Sequence, residues 1–304
     1  MLTYQQEQAE QSWADWRLER RARNGGDLRT AAELREHYVL ERELAARLRD
    51  APRAERRGLY SEVYDELFRR LPHHPQVQRA DAGEDSRATD RLLALVSRFL
   101  TRDTVFMEIG AGDCALSIRA AALVKKVYAV DVSEQITRGA RRPANFTLVL
   151  SDGCSTGVPE GTVDVAFSNQ LMEHLHPEDA AEQLANIHRS LAPGGIYICI
   201  TPNRLYGPHD ISCFFDDVAT GFHLREYTAR DIRALFLEAG FERVDFYAAA
   251  AGRYARYPYA LLALCESVLE RLPRWLARSL ANTRGSRALL GVHVVALKGS
   301  GREG

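Results

Sequence analysis

The stretch Val105-Phe-Met-Glu108-Ile-Gly110-Ala-Gly112-Asp-Cys114-Ala-Leu constrains this chain more than any other. An apolar run breaks on two glycines and continues with helical character, Cys114 to Val124. Glycine allows the left-handed backbone that a sharp strand-to-helix bend needs, and it lets a ligand approach the chain closely. The first turn of the following helix then points unbonded N–H groups at that ligand. About twenty residues on, Val127-Tyr-Ala-Val130-Asp131 is a second apolar run closed by an acid, which predicts a nucleotide pocket at the carboxyl edge of a parallel sheet.

Gly110-Ala-Gly112-Asp-Cys-Ala115 formally fits the G-x-G-x-x-G/A pattern of a dinucleotide turn. Glu108 argues for another cofactor. A pyrophosphate against the glycines would be repelled by a neighbouring carboxylate, whereas a ligand with an amino group and a sulfonium would be attracted. An NAD(P)-dependent oxidoreductase is the alternative that would have to tolerate that acid. Further motifs follow in order: Leu148-Val-Leu-Ser-Asp152-Gly, Val163-Asp-Val-Ala-Phe-Ser-Asn169 and Leu191-Ala-Pro-Gly194-Gly195. With the glycine bend and Asp131, this series resembles the class I S-adenosylmethionine-dependent methyltransferases of small molecules, over residues 86 to 250 and a last strand near 292–298. Cys114 departs from the pattern, since many members carry a third glycine there.

At 304 residues, with 46% hydrophobic and 27% charged residues, the chain is long enough for a full core. A net charge of −1 gives no electrostatic case for a nucleic-acid partner. Five scattered cysteines without a C-x-x-C pair point to a reducing compartment and away from zinc. With a polar N-terminus and no long apolar run, the expected location is cytoplasmic and no transmembrane segment is expected.

Residues 1–85 read as a helical N-terminal cap or lid, and 86–304 as the cofactor-binding core. In the cap, Trp13 and Trp16 anchor a polar first helix, Thr30-Ala-Ala-Glu33 is a capping box for a second, and Leu59, Tyr60, Val63, Tyr64, Leu67 and Phe68 stripe a third. These stripes must be buried, either on the core or in a homo-oligomer contact through the cap. His73-His74-Pro75-Gln76 reads as a loop, and residues 82–86 as a linker and helix start. Seven strands are expected at 104–109, 126–131, 145–150, 162–168, 195–201, 241–247 and 292–298. Near-continuous apolar strands alternating with helices predict an α/β, Rossmann-like, doubly wound and mostly parallel sheet. The resemblance implies that the seventh strand runs antiparallel between the fifth and sixth. Residues 251–290 read as a helical insertion whose arginines and apolar face suit a substrate lid, an oligomer contact or a membrane surface.

The resemblance also assigns roles. Glu108, Gly110 and Gly112 face the methionine part of S-adenosyl-L-methionine, Asp131 takes the ribose hydroxyls, and Asp152 with Gly153 meets the adenine. Asn169 and Gln170 border cofactor and acceptor. For the acceptor side, His174, His209, Asp210 and His223 lie on loops at the correct sheet edge, and histidine titrates in the range a general base needs. Tyr206, Phe214, Phe215 and Phe222 are candidate pocket walls. His209, Asp210, Asp216, Asp217 and His223 together form a weaker candidate metal set, and no metal is expected. The acceptor is expected to be a small molecule, a hydroxyl of a specialised metabolite or glycan, with carbon or nitrogen methylation on the same fold as the alternative.

Overall fold

The computed structural model describes residues 4–82, 87–133, 142–250 and 253–301. Four helices come first: α1 (Tyr4–Asn24), α2 (Ala31–Asp50), α3 (Arg53–Arg70) and α4 (Pro75–Ala82). The capping box that opens α2 is formed, with the Glu33 carboxylate accepting from the Thr30 N–H at 2.7 Å and the Thr30 hydroxyl accepting from the Glu33 N–H at 3.3 Å. Helix α4 corrects the reading of His73-His74-Pro75-Gln76 as a plain loop: proline at the start of a helix loses no hydrogen bond, so Pro75 begins one. Of the linker expected at 82–86, Ala82 instead ends α4, and 83–86, with the cap–core boundary, lie outside the described residues.

The core alternates strand and helix: α5 (Arg87–Val96), β1 (Val105–Ile109), α6 (Ala115–Ala120), β2 (Lys126–Asp131), β3 (Phe146–Leu150), β4 (Val163–Asn169), α7 (Pro177–Ser190), β5 (Leu191–Thr201), α8 (Ala229–Glu238), β6 (Arg243–Ala250), β7 (Arg253–Tyr257), α9 (Tyr259–Glu270), α10 (Arg274–Ala281), α11 (Arg284–Leu290) and β8 (Val292–Leu297). The sheet order is β3-β2-β1-β4-β5-β8-β6-β7. Strands β1 to β5 pair in parallel, and β8 lies antiparallel between β5 and β6.

The sheet has eight strands rather than seven. Strand β7 pairs back on β6 from Phe246↔Tyr257 to Ala250↔Arg253, so the insertion begins with a hairpin arm before its three helices. The alanines at 248–251 carry little strand preference, which hid the hairpin in the sequence. Residues 251 and 252, where the insertion was expected to start, lie outside the described residues. Helix α6 is also shorter than the predicted 114–124, ending at Ala120.

Alternate residues of β1 serve two apolar layers, as a sheet buried on both faces requires. Phe106 packs with Leu95, Leu116 and Val127 on one side. Met107 and Ile109 pack on the other, in a layer that runs without a break into Leu44, Leu48, Val63 and Leu67 of α2 and α3. Helices α2 and α3 are therefore built into the main core, while α1 packs in a smaller cluster with the start of α2 and Ile211. Among the described residues no helix is long and apolar enough to cross a membrane.

Candidate active site

The bend after β1 uses left-handed backbone at alternate residues: Gly110 at φ 71°, Gly112 at 53° and Cys114 at 62°. Cys114 thus adopts the conformation a third glycine would supply, and the turn keeps its shape despite the departure. The Gly110 N–H donates to the Val130 carbonyl at 2.8 Å, and Gly112 N–H to the Asp131 carboxylate at 2.7 Å. The Ser133 N–H bonds the other Asp131 oxygen at 2.9 Å. Burial pushes the Asp131 carboxyl up to about 6 against these donors, so it is ionised at neutral pH. A carboxylate offers about four acceptor positions, and two backbone bonds leave room for a diol.

Over the bend lies a cavity of about 400 Å³. Gly110, Gly112, Asp131, Gly153, Gln170, His174, His209 and Asp210 all stand on its wall. Asp152, Asn169 and His223 do not. Asp152 instead caps its own turn, one oxygen taking the N–H of Cys154 at 2.9 Å and of Ser155 at 2.7 Å. Gln170 stands at φ 55°, and its N–H donates to Ile200 at 2.8 Å.

Glu108 differs most from its expected place. It is buried behind the bend, off the cavity wall, and accepts from the Ser117 hydroxyl of α6 at 2.5 Å. Burial pushes its carboxyl up to about 8, with Asp113 and Asp131 adding repulsion. Such an acid is neutral near pH 7 until a cation comes close.

The far wall comes from the N-terminal helices, which the sequence offered as a cap or lid without any of their residues being named for the site. Helix α3 contributes Tyr60, Tyr64, Leu67 and Phe68, and α2 contributes His37 and Glu41. Of the six stripe residues of α3 only Leu59 and Val63 are off the cavity wall, and all three aromatics are on it. Tyr60 approaches so closely that a β-carbon on Gly153 would lie 2.7 Å from its ring, and Gly153 itself sits at φ 88°. Of the expected aromatic walls, Phe214 and Phe222 line the cavity. Phe215 stacks on Tyr38 at 4.3 Å, and Tyr206 meets the His209 ring edge-on at 4.6 Å.

On the acceptor side, His209 Nε2 lies 3.2 Å from the Asn203 carbonyl, which can only accept, so this nitrogen carries the proton and Nδ1 keeps its lone pair. Burial lowers the His209 pKa, which keeps the ring neutral at pH 7. His174 is driven the same way by burial, more strongly. Asp210 accepts from Gly221 N–H at 2.9 Å and from Ser212 N–H at 3.1 Å, and so ties the 203–226 loop together. The five-residue metal set does not assemble: Asp216 takes the Tyr38 hydroxyl at 2.7 Å, while Asp217 meets Arg278 at 3.4 Å.

Residues 106–195 match a family described as a methyltransferase domain. A probable S-adenosylmethionine-dependent methyltransferase of Mycolicibacterium smegmatis is 30% identical over 152 residues, covering 50% of this chain and 56% of that one. Another, from Mycobacterium tuberculosis strain H37Rv, is 29% identical over 148 residues, covering 48% of this chain and 51% of that one. The chain thus spans about half the length of the curated relatives it matches. Among solved structures, phosphoethanolamine N-methyltransferase 2 of Haemonchus contortus, in complex with S-adenosyl-L-methionine, superposes with a TM-score of 0.53 at 16% identity, over 78% of this chain and 60% of that one. The [4+2]-cyclase SpnF does so with a TM-score of 0.52 at 17% identity, over 79% and 97%.

Sheet order, glycine bend and strand-end acid agree with these matches: residues 106–195 carry a methyltransferase domain.

Proposed function

We propose that the whole chain transfers a methyl group from S-adenosyl-L-methionine to a hydroxyl of a small molecule held under the N-terminal helices. One observation carries this reading: a single cavity has Asp131 and the glycine bend on one wall and the neutral imidazoles of His174 and His209 on another, roofed by Tyr60, Tyr64 and Phe68. Asp131 would hold the ribose, Gly110 and Gly112 would lie along the methionine, and Ser151 and Gly153 would border the adenine. The cofactor supplies an activated methyl group when bound. The chain then has to align the acceptor, exclude water and receive a proton. His209 Nδ1, with its lone pair, is the atom assigned to that proton. The helices of 1–85 act as the lid that gives the pocket its acceptor side, and a specialised metabolite or glycan fits a cavity lined by aromatics and a few polar groups.

The test is transfer of isotopically labelled methyl groups from S-adenosyl-L-methionine into cell extract, with the methylated product found by mass spectrometry. His209→Ala should then lower kcat by about 10²–10⁴-fold with cofactor affinity unchanged. Because burial holds the His209 pKa below its ordinary value, the acid fall of wild-type kcat should be centred below the pH at which a free imidazole titrates. Labelling of a protein or nucleic acid instead, or a rate that ignores His209, contradicts the reading.

A further inference from the structure

We propose that Glu173, His174 and His223 form a divalent-cation site of the zinc type, open to the cavity through His174. One ligand atom from each of the three lies within 4.8 Å of the other two. In every case the remaining polar atom of the side chain is already held from outside. Thr201 donates its hydroxyl to Glu173 Oε2 at 2.8 Å, while Glu173 Oε1 is buried without a partner. The Phe222 carbonyl takes the His174 ring proton, and Nδ1, the nitrogen left over, is buried without a partner as well. His223 Nδ1 lies 2.8 Å from the Glu226 carboxylate, which leaves Nε2 as the atom for the cation. Against its burial, nearby carboxylates hold the His223 pKa up, so the cation takes the place of a proton there. Zinc-binding histidines are characteristically fixed in this way, one nitrogen donating to a carbonyl or carboxylate and the other turned to the metal.

Two nitrogens and one carboxylate oxygen suit zinc or a similar transition ion better than magnesium or calcium, which prefer oxygen. A tetrahedral ion with bonds of about 2.0–2.1 Å needs its ligands drawn together by roughly an ångström, a side-chain rotation. Three protein ligands leave a fourth position, and His174 and Tyr64, their rings 6.1 Å apart, are the residues beside it that line the cavity. The Tyr64 hydroxyl is likewise buried without a hydrogen-bond partner.

The other Glu-His-His cluster, His37, Glu41 and His74, cannot serve in the same way. Arg29, which only donates, lies 2.5 Å from His37 Nδ1, so the proton sits on Nε2 and goes to Glu41 at 2.8 Å. No lone pair of His37 is left facing the cluster.

The cation's use, lowering the pKa of an acceptor hydroxyl at the fourth position, rests on the reading of the cavity given above; the binding site itself does not. Cobalt(II) is the probe, titrated into the metal-free full chain and followed by visible absorption. One cobalt per chain with the strong absorption of a tetrahedral ion, displaced by zinc, is the expected result. Affinity should fall by more than about 100-fold in His174→Ala and in the isosteric Glu173→Gln. No tetrahedral signal in a protein that still binds S-adenosyl-L-methionine overturns the proposal while sparing the function. A signal that survives His174→Ala and disappears in His37→Ala overturns it too.

Discussion

Replacing Arg56 by alanine is expected to lower the unfolding free energy by about 3–5 kcal/mol, the cost of leaving a buried carboxylate without its partner. Arg56 of α3 donates from Nε to Asp179 Oδ2 at 2.7 Å and from a terminal nitrogen to Oδ1 at 3.1 Å. Both side chains are almost wholly buried. The Tyr60 hydroxyl donates to the same carboxylate at 2.8 Å and accepts from the His176 N–H at 2.9 Å. This cluster is where α3 is bolted to α7, and α3 carries the aromatic roof of the cavity. Urea unfolding of the single variants and of Arg56→Met/Asp179→Leu measures it. The double replacement should recover most of the loss, because removing both charges also removes both desolvation costs. Equal losses in the single and double variants would show that the pair does not carry the contact.

The second large effect is a pH dependence owed to Glu108. Its carboxyl titrates near the ordinary 4.5 in an unfolded chain and at about 8 when folded, because burial penalises the charge. The folded state therefore holds the proton more tightly. The stability this contributes is complete below pH 4.5 and is lost as pH rises through 8. At about 1.4 kcal/mol per pKa unit, the wild type should lose about 4–5 kcal/mol relative to Glu108→Gln between those limits. Unfolding curves of the two proteins over that range measure the difference. Their running parallel would mean that Glu108 is ionised throughout. Binding of S-adenosyl-L-methionine brings an ammonium and a sulfonium toward the bend, so the wild type should also release a proton on binding near pH 7, and Glu108→Gln should not.

Glu108, the residue that first singled out the cofactor, thereby takes on a different meaning. The sequence showed an acid next to a glycine bend, and opposite charge was the reason to choose a cationic ligand. What it did not show was Ser117, nine positions on, turning a helix face toward that acid and drawing it behind the bend. Strands β1, β2, β4 and β5 were readable because the sheet's interior leaves them nearly continuous in apolar residues, and the half-buried edge strand β3 keeps an apolar run as well. The last strand's place between β5 and β6 came from resemblance alone. The hairpin arm at β7 was hidden by alanines, and the roof of the cavity by the ordinary look of an amphipathic stripe. Tyr60 and Tyr64 read as core because nothing local tells a helix face that meets a core from one that meets a cavity. The Glu173, His174 and His223 cluster lay further still from reach, since residues 173 and 223 meet only once the chain has folded.

The most direct test of the central claim, that the cavity under the N-terminal helices holds S-adenosyl-L-methionine by its ribose, is a calorimetric titration of that compound into the wild type and Asp131→Ala. The account predicts one molecule per chain in the wild type and an affinity lower by at least about 100-fold in the variant, which loses two charge-assisted hydrogen bonds. Equal affinities, or binding of a nicotinamide dinucleotide in place of S-adenosyl-L-methionine, would contradict it.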